Sequence, residues 1–224
     1  MSVPAAKRNP AAPDAPTFCP DCTLCPRLAA FLGKVRHEQP EYHAKPVGPF
    51  GDAHPKLLLV GLAPGMHGAN RTGRPFTGDY AGILLYQTLF ELGLSSAPTS
   101  VSRDDGLQLR GVRITNAVKC LPPENKPEPA EIRTCNRYLA AELAELGSVK
   151  AILALGSIGH DAVLMATGQK KSAAKFGHGA EHVLPDGRHL IDTYHCSRYN
   201  TQTRRLTAEM FHKVVQRAAS LAGL

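Results

Sequence analysis

Lys56–Gly65 reads KLLLVGLAPG: four consecutive large apolar residues, then an abrupt passage into glycine, alanine and proline. A run this short and this continuously apolar describes a strand covered on both faces, the kind found in parallel sheets. Three more segments share its form: Gly111–Cys120 (GVRITNAVKC), Val149–Ser157 (VKAILALGS) and Arg188–Asn200 (RHLIDTYHCSRYN). Each ends in polar or glycine-rich sequence. In open parallel sheets, ligands bind beyond the carboxyl ends of the strands, so groups placed after four such strands can converge on one site.

The segments between them have helical spacing. Leu28, Phe31, Leu32 and Val35 recur at three- and four-residue intervals from Pro26 to about Gln39. Ala81–Leu92 turns Ile83, Leu84, Leu85, Leu89 and Leu92 toward the sheet and stops at Gly93. A third helix starts at Pro129, a favoured first position, and runs through Ile132, Cys135, Leu139 and Leu143 to Gly147. A fourth follows Gly156 with Ile158, Ala162, Val163 and Met165, and a last one covers Thr207 to about Leu221. A helix followed by alternating strands and helices predicts an α/β fold, a mostly parallel sheet with helices on both faces. Two loops are less regular, Ser95–Arg110 and the basic Gln169–Gly187.

Residues 1–17 (MSVPAAKRNPAAPDAPT) carry alanine and proline without periodicity and are expected to be a disordered tail, leaving 18–224 as a single domain. At 224 residues one core suffices, without disulfide staples. Lysine and arginine number 26 against 19 aspartate and glutamate, a balance of +7 that favours a polyanionic partner such as nucleic acid. No run approaches the roughly 18 apolar residues of a membrane span, and the first residues lack the apolar core of a secretory signal, which argues for a cytoplasmic protein. The absence of heptads and of a long apolar surface stripe suggests a monomer.

Six cysteines in such a compartment point to metal or chemistry rather than disulfides. Cys22-x2-Cys25 precedes the first helix, and Cys120-x14-Cys135 links the second strand to the third helix. Together they can supply four thiolates to Zn²⁺ or to an iron–sulfur cluster, and spacing does not choose between them. The alternative is four unliganded buried thiols. Cys19 with Cys22 forms a competing C-x2-C pair; Cys25-Pro26-Arg27, with its helix-opening proline, favours Cys22 and Cys25.

The loop Gly61–Asp79, GLAPGMHGANRTGRPFTGD, is dense in glycine and can bring backbone N–H groups close to a ligand. It lacks the lysine and spacing of a Walker A loop and the spacing of a dinucleotide fingerprint.

That loop, followed by TNAVKC and by HCSRYNTQTRRLT, resembles the uracil-DNA glycosylase superfamily, and most closely its family 5, the iron–sulfur enzymes. The resemblance runs from Cys22 to about Phe211. It implies a three-layer α/β/α sandwich around a central four-stranded, mostly parallel sheet. It also implies a base-excision repair hydrolase that cleaves the N-glycosidic bond of uracil in single- or double-stranded DNA, with hypoxanthine and modified uracils as further substrates. A [4Fe-4S] cluster on Cys22, Cys25, Cys120 and Cys135 would be structural.

By the same resemblance His195 matches the histidine that stabilises the departing uracil anion, Phe76 the stacking aromatic and Asn116 the amide that reads the base edge. Gly61, Ala63 and Gly65 belong to the loop that lines the pocket. Family 4 enzymes carry a glutamate after the first glycine of this motif, where Leu62 stands here; family 5 enzymes carry an aspartate at its end, matched by Asp79, which would position water and support the cationic sugar. Ser197 and Asn200 would hold phosphates or the loop, Arg204 and Arg205 would be phosphate partners, and Leu206 or Tyr199 would wedge into the gap left by the flipped base. Cys196 follows the histidine and reads as a small packing residue. Arg204 occupies a position where the family usually has glycine.

Singly, each of these has a plainer reading: Asp79 as a helix N-cap, His195 and Phe76 as core residues, Asn116 as a turn former. His67, His160, His178, His182 and His189 receive no role. The rival of a different class is a metal-containing nucleic-acid-binding protein that kept the fold without the chemistry.

Overall fold

A computed structural model describes residues 16–224. The expected tail, 1–17, lies outside the described residues through residue 15.

Helix α1 (Pro26–Glu38) opens on its proline and buries Leu28, Leu32 and Val35. A two-residue strand β1 (Phe50–Gly51) precedes β2 (Leu57–Gly61), then a single turn α2 (Ala69–Thr72) and α3 (Tyr80–Glu91). Strand β3 (Val112–Asn116) leads to α4 (Pro129–Glu145), β4 (Ala151–Leu155) to α5 (Ser157–Ala166), and β5 (Glu181–Val183) turns back into β6 (His189–Thr193). The short α6 (Arg198–Gln202) and the long α7 (Ala208–Ala222) complete the order.

The sheet has six strands in the order β1-β3-β2-β4-β6-β5. Its inner four, β3, β2, β4 and β6, run parallel, and correspond to the four apolar segments. The expectation of four strands is corrected by two antiparallel edges, β1 on β3 and β5 on β6. Two or three residues are too few to show an alternating pattern, and β5 has an exposed, intermediate, exposed run inside the basic loop.

Alternation within the parallel strands divides the core. Leu57, Leu59, Ile114 and Leu153 face α3 and α7, where Leu85, Leu89, Phe211 and Val215 cover them. Leu58, Val60, Ile152 and Leu190 face α4 and α5, against Leu139, Leu143, Ala162 and Val163. This is the three-layer sandwich. Of the residues expected to turn inward on α3, Leu85 and Leu89 do, whereas Ile83 is 63% exposed. A third cluster joins α1 to Val118, Leu121 and Tyr138 beside the cysteines.

The start of α4 is tied to the start of α1. Glu128 and Glu131 form a capping box, and Arg27 grips Glu131 with two hydrogen bonds of 2.8 and 2.7 Å. Behind the sheet's carboxyl edge, Glu142 accepts from Arg113 and Thr115, and the Lys119 ammonium lies 3.6 Å from the same carboxylate.

Candidate active site

Gly61 ends β2, Asn116 ends β3, and His195 follows β6 by two residues, so three parallel strands deliver these groups to one end of the sheet. There Asn116 and His195 line a cleft of about 420 Å³ together with Leu62, Ala63, Gly65, Phe76, Asp79 and Ser197, while Gly61, expected to line the pocket, lies behind Asn116 and Phe76 instead. The sequence-predicted groups of the first, second and last motifs therefore meet. Tyr80, Asn125 and Arg198 also line the cleft and were not singled out from the sequence.

Close approach explains part of the motif. A Cβ on Gly61 would stand 2.4 Å from Asn116 Oδ1 and 2.7 Å from the Phe76 ring. Only glycine lets the strand end pass behind both side chains. Phe76 has φ of +54°, in the left-handed region that costs a non-glycine residue about 1–2 kcal/mol. Tyr86, fully buried, donates to the neighbouring Pro75 carbonyl at 2.9 Å and helps hold that turn.

Asn116 is 2% exposed, its Oδ1 is buried without a hydrogen-bond partner, and its main-chain carbonyl accepts from Lys119 Nζ at 2.9 Å. A buried acceptor left unmatched costs free energy that a ligand N–H can recover.

His195 lines the cleft with its ring stacked on Phe76, centroids 5.9 Å apart and planes inclined by 27°. Burial lowers its pKa to about 4, so the imidazole is neutral at physiological pH and offers an N–H donor without a positive charge. Its main-chain carbonyl accepts from Asn200 Nδ2 at 2.8 Å.

Asp79 caps α3, as the plainer reading held: its Oδ1 accepts from Gly82 N at 2.9 Å. It also borders the cleft. Burial raises its pKa, and the amides of Gly82 and Ala81 oppose that shift. Its Oδ2 lies toward Gly65, where a Cβ would approach to 3.6 Å.

The loop Ser95–Arg110 braces this wall. Arg74, almost wholly buried, donates to Asp105 Oδ1 at 2.8 Å and to Thr77 at 2.9 Å, two residues before Asp79.

In the last motif, Ser197 caps α6 and Asn200 binds the main chain, so both hold the loop itself. Arg205 lies over the Tyr194 ring at 4.5 Å and Arg198 over Tyr80 at 5.1 Å. Leu206 is 1% exposed within the core, which corrects its candidacy as a wedge, since insertion would require unpacking it; Tyr199 is 71% exposed. Cys196 is fully buried, a packing residue as expected. Arg204 adopts φ of +56°, the conformation that glycine favours, so the loop keeps its shape.

A second, smaller cavity is lined by Cys22, Cys25, Cys120 and Cys135, with Leu28, Val118 and Tyr138. Cys19 packs near this cluster but does not line the cavity. Burial and mutual repulsion push Cys25 up to about 11 and Cys120 up to about 12. Those are the conditions a bound cation relieves, because only the thiolate ligates. Tyr138 donates to Cys22 Sγ at 3.2 Å and Lys119 N to Cys135 Sγ at 3.3 Å, hydrogen bonds of the kind that orient and tune metal-bound sulfur.

The fold, the strand-end cleft and its neutral histidine define a class, and comparison agrees: the chain belongs to the uracil DNA glycosylase superfamily, whose sequence profile matches residues 49–219. It is similar to the type-5 uracil-DNA glycosylase of Thermus thermophilus, 53% identical over 91% of this chain and 94% of that protein. It is 45% identical to the type-5 uracil-DNA glycosylase of Pyrobaculum aerophilum over 91% of this chain and 90% of the other. The type-4 uracil-DNA glycosylase of Sulfurisphaera tokodaii is 33% identical over 73% of this chain and 71% of its own length.

Proposed function

We propose that this chain is a uracil-DNA glycosylase of base-excision repair that acts through Asn116, Phe76, His195 and Asp79, hydrolysing the bond between uracil and deoxyribose and leaving an abasic site. The observation that carries the assignment of roles is the buried, unpartnered Oδ1 of Asn116, set in one cleft with the other three.

The target base must leave the duplex to enter such a cleft. Asn116 Oδ1 accepts the uracil N3–H, while its Nδ2 donates to the adjoining carbonyl. Phe76 offers its apolar ring to the base. As the glycosidic bond lengthens, negative charge gathers on the uracil carbonyl and positive charge on the sugar. The neutral His195 donates its N–H to that developing oxyanion, and donors already in place cost no reorganisation at that moment. Asp79, ionised, faces the cationic sugar and orients the attacking water with the oxygen that does not cap α3. The water's proton passes to that carboxylate, and the base leaves as an anion held by His195.

Ala63 and Gly65 keep the wall of the pocket low, and Gly61 leaves room behind it for Asn116 and Phe76. Arg205, with Arg198 and the N-terminal turn of α6, supplies positive charge for the phosphates on either side of the flipped nucleotide, in single- or double-stranded DNA. Hypoxanthine and modified uracils follow as further substrates, because one amide and one apolar face discriminate loosely.

The four cavity thiols fit a [4Fe-4S] cluster better than zinc, given the resemblance to family 5 enzymes. The cluster supplies a cross-link rather than redox chemistry, since hydrolysis transfers no electrons. Cys22 and Cys25 thereby fasten the N-terminal segment to the residues after β3 and to α4. Residues 18–224 act as one domain preceded by a tail, and the protein works as a cytoplasmic monomer. Among the described residues no helix is long and apolar enough to cross a membrane.

The test is incubation with a labelled duplex containing one uracil, followed by alkali, with His195→Ala and Asp79→Asn alongside. Strand cleavage at uracil that weakens in both variants supports the reading. Salt-sensitive binding with intact DNA would replace it with the non-catalytic binding protein.

A further inference from the structure

On the α5 face of the sheet, away from the cleft, His160 of α5, His182 of β5 and Asp192 of β6 bring one donor atom each to within 4.8 Å of one another. None of them lines the cleft or the thiol cavity. We propose that these three residues form a second, independent metal site that takes a divalent cation of the zinc type and fastens the 169–187 segment to the sheet.

The distances suit such an ion. His160 Nδ1 lies 2.8 Å from Asp192 Oδ1, and His182 Nε2 lies 3.7 Å from Asp192 Oδ2. Ligands at about 2.0–2.2 Å in a tetrahedral zinc site stand roughly 3.3–3.6 Å apart, a spacing within reach of donors that all lie within 4.8 Å of one another, each imidazole facing its own oxygen of Asp192. Two imidazoles and a carboxylate are a donor set for zinc and its neighbours rather than for calcium or magnesium.

The groups behind the donors are also in place. His160 Nε2 faces the Ala174 carbonyl at 3.1 Å, and Gly177 N donates to Asp192 Oδ2 at 3.3 Å. A metal-bound histidine commonly gives its other N–H to a carbonyl in this way. His160 has an oxygen partner at each ring nitrogen, and an ion entering between His160 and Asp192 would replace the hydrogen bond at Nδ1 while the Ala174 carbonyl keeps the other nitrogen oriented.

His182 supplies the independent sign. Its Nε2 is buried with no hydrogen-bond partner, although it points toward a carboxylate. The His182 side chain is 23% exposed, so the three donors sit near the protein surface rather than sealed inside it. Lys170, Lys171, Lys175 and His178, the basic groups of the same segment, would then be held on a fixed surface rather than a loose one.

The experiment uses the full chain with its cysteine-bound metal intact, dialysed against a mild chelator and then titrated with Zn²⁺. Metal per chain is read by mass spectrometry of the element, together with the melting temperature. The expected result is one zinc per chain above the background of His182→Ala and a higher melting temperature, with both gains absent in that variant. His182→Ala removes a side chain without hydrogen bonds, so it folds as the parent does, which circular dichroism checks. Asp192→Asn is the second variant and should lose the same ion. Zinc uptake that is equal in parent and His182→Ala, or absent in both, overturns the site and leaves a buried histidine–carboxylate pair.

Discussion

The carboxylate of Asp79 does two jobs with two oxygens: Oδ1 receives the Gly82 amide at 2.9 Å at the head of α3, and Oδ2 lies toward Gly65 in the cleft. Asparagine can keep the first job and not the second. Asp79→Asn should therefore abolish most excision while keeping the fold, whereas Asp79→Ala should also lose about 1 kcal/mol of stability with the cap.

The raised pKa of Asp79 adds a test of sign. A carboxyl that binds its proton more tightly when folded destabilises the ionised native state, in full above the folded pKa. That penalty fades as the pH falls and is gone below the unfolded value of about 3.9. Asp79→Asn should hence melt at or above the parent temperature at neutral pH, with the gap closing toward pH 4. A variant that is less stable at neutral pH than at pH 4, relative to the parent, would show that the carboxylate stabilises the fold.

His195, held near pKa 4 by burial, is neutral through the range in which an ordinary histidine titrates, around 6.5. Excision under single-turnover conditions should show no inflection near pH 6.5. His195→Ala should lower the rate by roughly 10²–10³-fold, the usual cost of one oxyanion donor. An inflection near 6.5 that disappears in the variant would mean the imidazolium is the working form.

Gly61 and Gly65 separate packing from access. Alanine at Gly61 would drive its methyl into Asn116 and Phe76, and should impair both melting and excision. Alanine at Gly65 meets only Asp79 Oδ2, at an ordinary 3.6 Å. Gly65→Ala should thus fold normally and lose activity, because the methyl occupies space over the carboxylate. Equal activity with unchanged melting would remove Gly65 from the pocket.

How much of this was legible in the sequence depended on the length of each signal. The four parallel strands were, because LLLV and AILAL run apolar throughout, VRIT and HLIDT carry Val112 and Ile114 or Leu190 and Ile191 among a few polar residues, and all four end at glycine or polar residues. The edge strands β1 and β5 were not, since two or three half-exposed residues carry no period. The cleft residues of the motifs were found, but Tyr80, Asn125 and Arg198 reach it from a helix start, a 3₁₀ turn and a five-residue helix that no pattern marked. The thiol set was readable as a spacing, whereas its hydrogen bonds from Tyr138 and Lys119 exist only once α4 lies beside the end of β3.

Arg204 shows a departure from the family pattern that the backbone absorbs. At φ of +56° and exposed, it holds a conformation that glycine adopts freely, at a cost of about 1–2 kcal/mol. Arg204→Gly should raise stability by up to that amount, offset in part by glycine's greater freedom in the unfolded chain. A large loss of stability would mean that the side chain contributes more than the strain it carries. If the guanidinium also meets phosphate, DNA affinity should fall together with the salt slope.

Tyr199 and Leu206 began as equal candidates for the wedge, and burial divides them. Leu206→Ala should cost about 3 kcal/mol in stability, the ordinary price of a core leucine, and reduce excision only through that loss. Tyr199 projects from α6, next to Arg198 at the mouth of the cleft. As a wedge, its ring would fill the stack vacated by the flipped base, a need that arises in duplex and not in single strands. Tyr199→Ala should therefore leave melting unchanged, slow excision from a duplex several-fold, and spare uracil in single-stranded DNA. Equal slowing on both substrates would make Tyr199 a surface contact, because a wedge acts only where there is a stack to hold open.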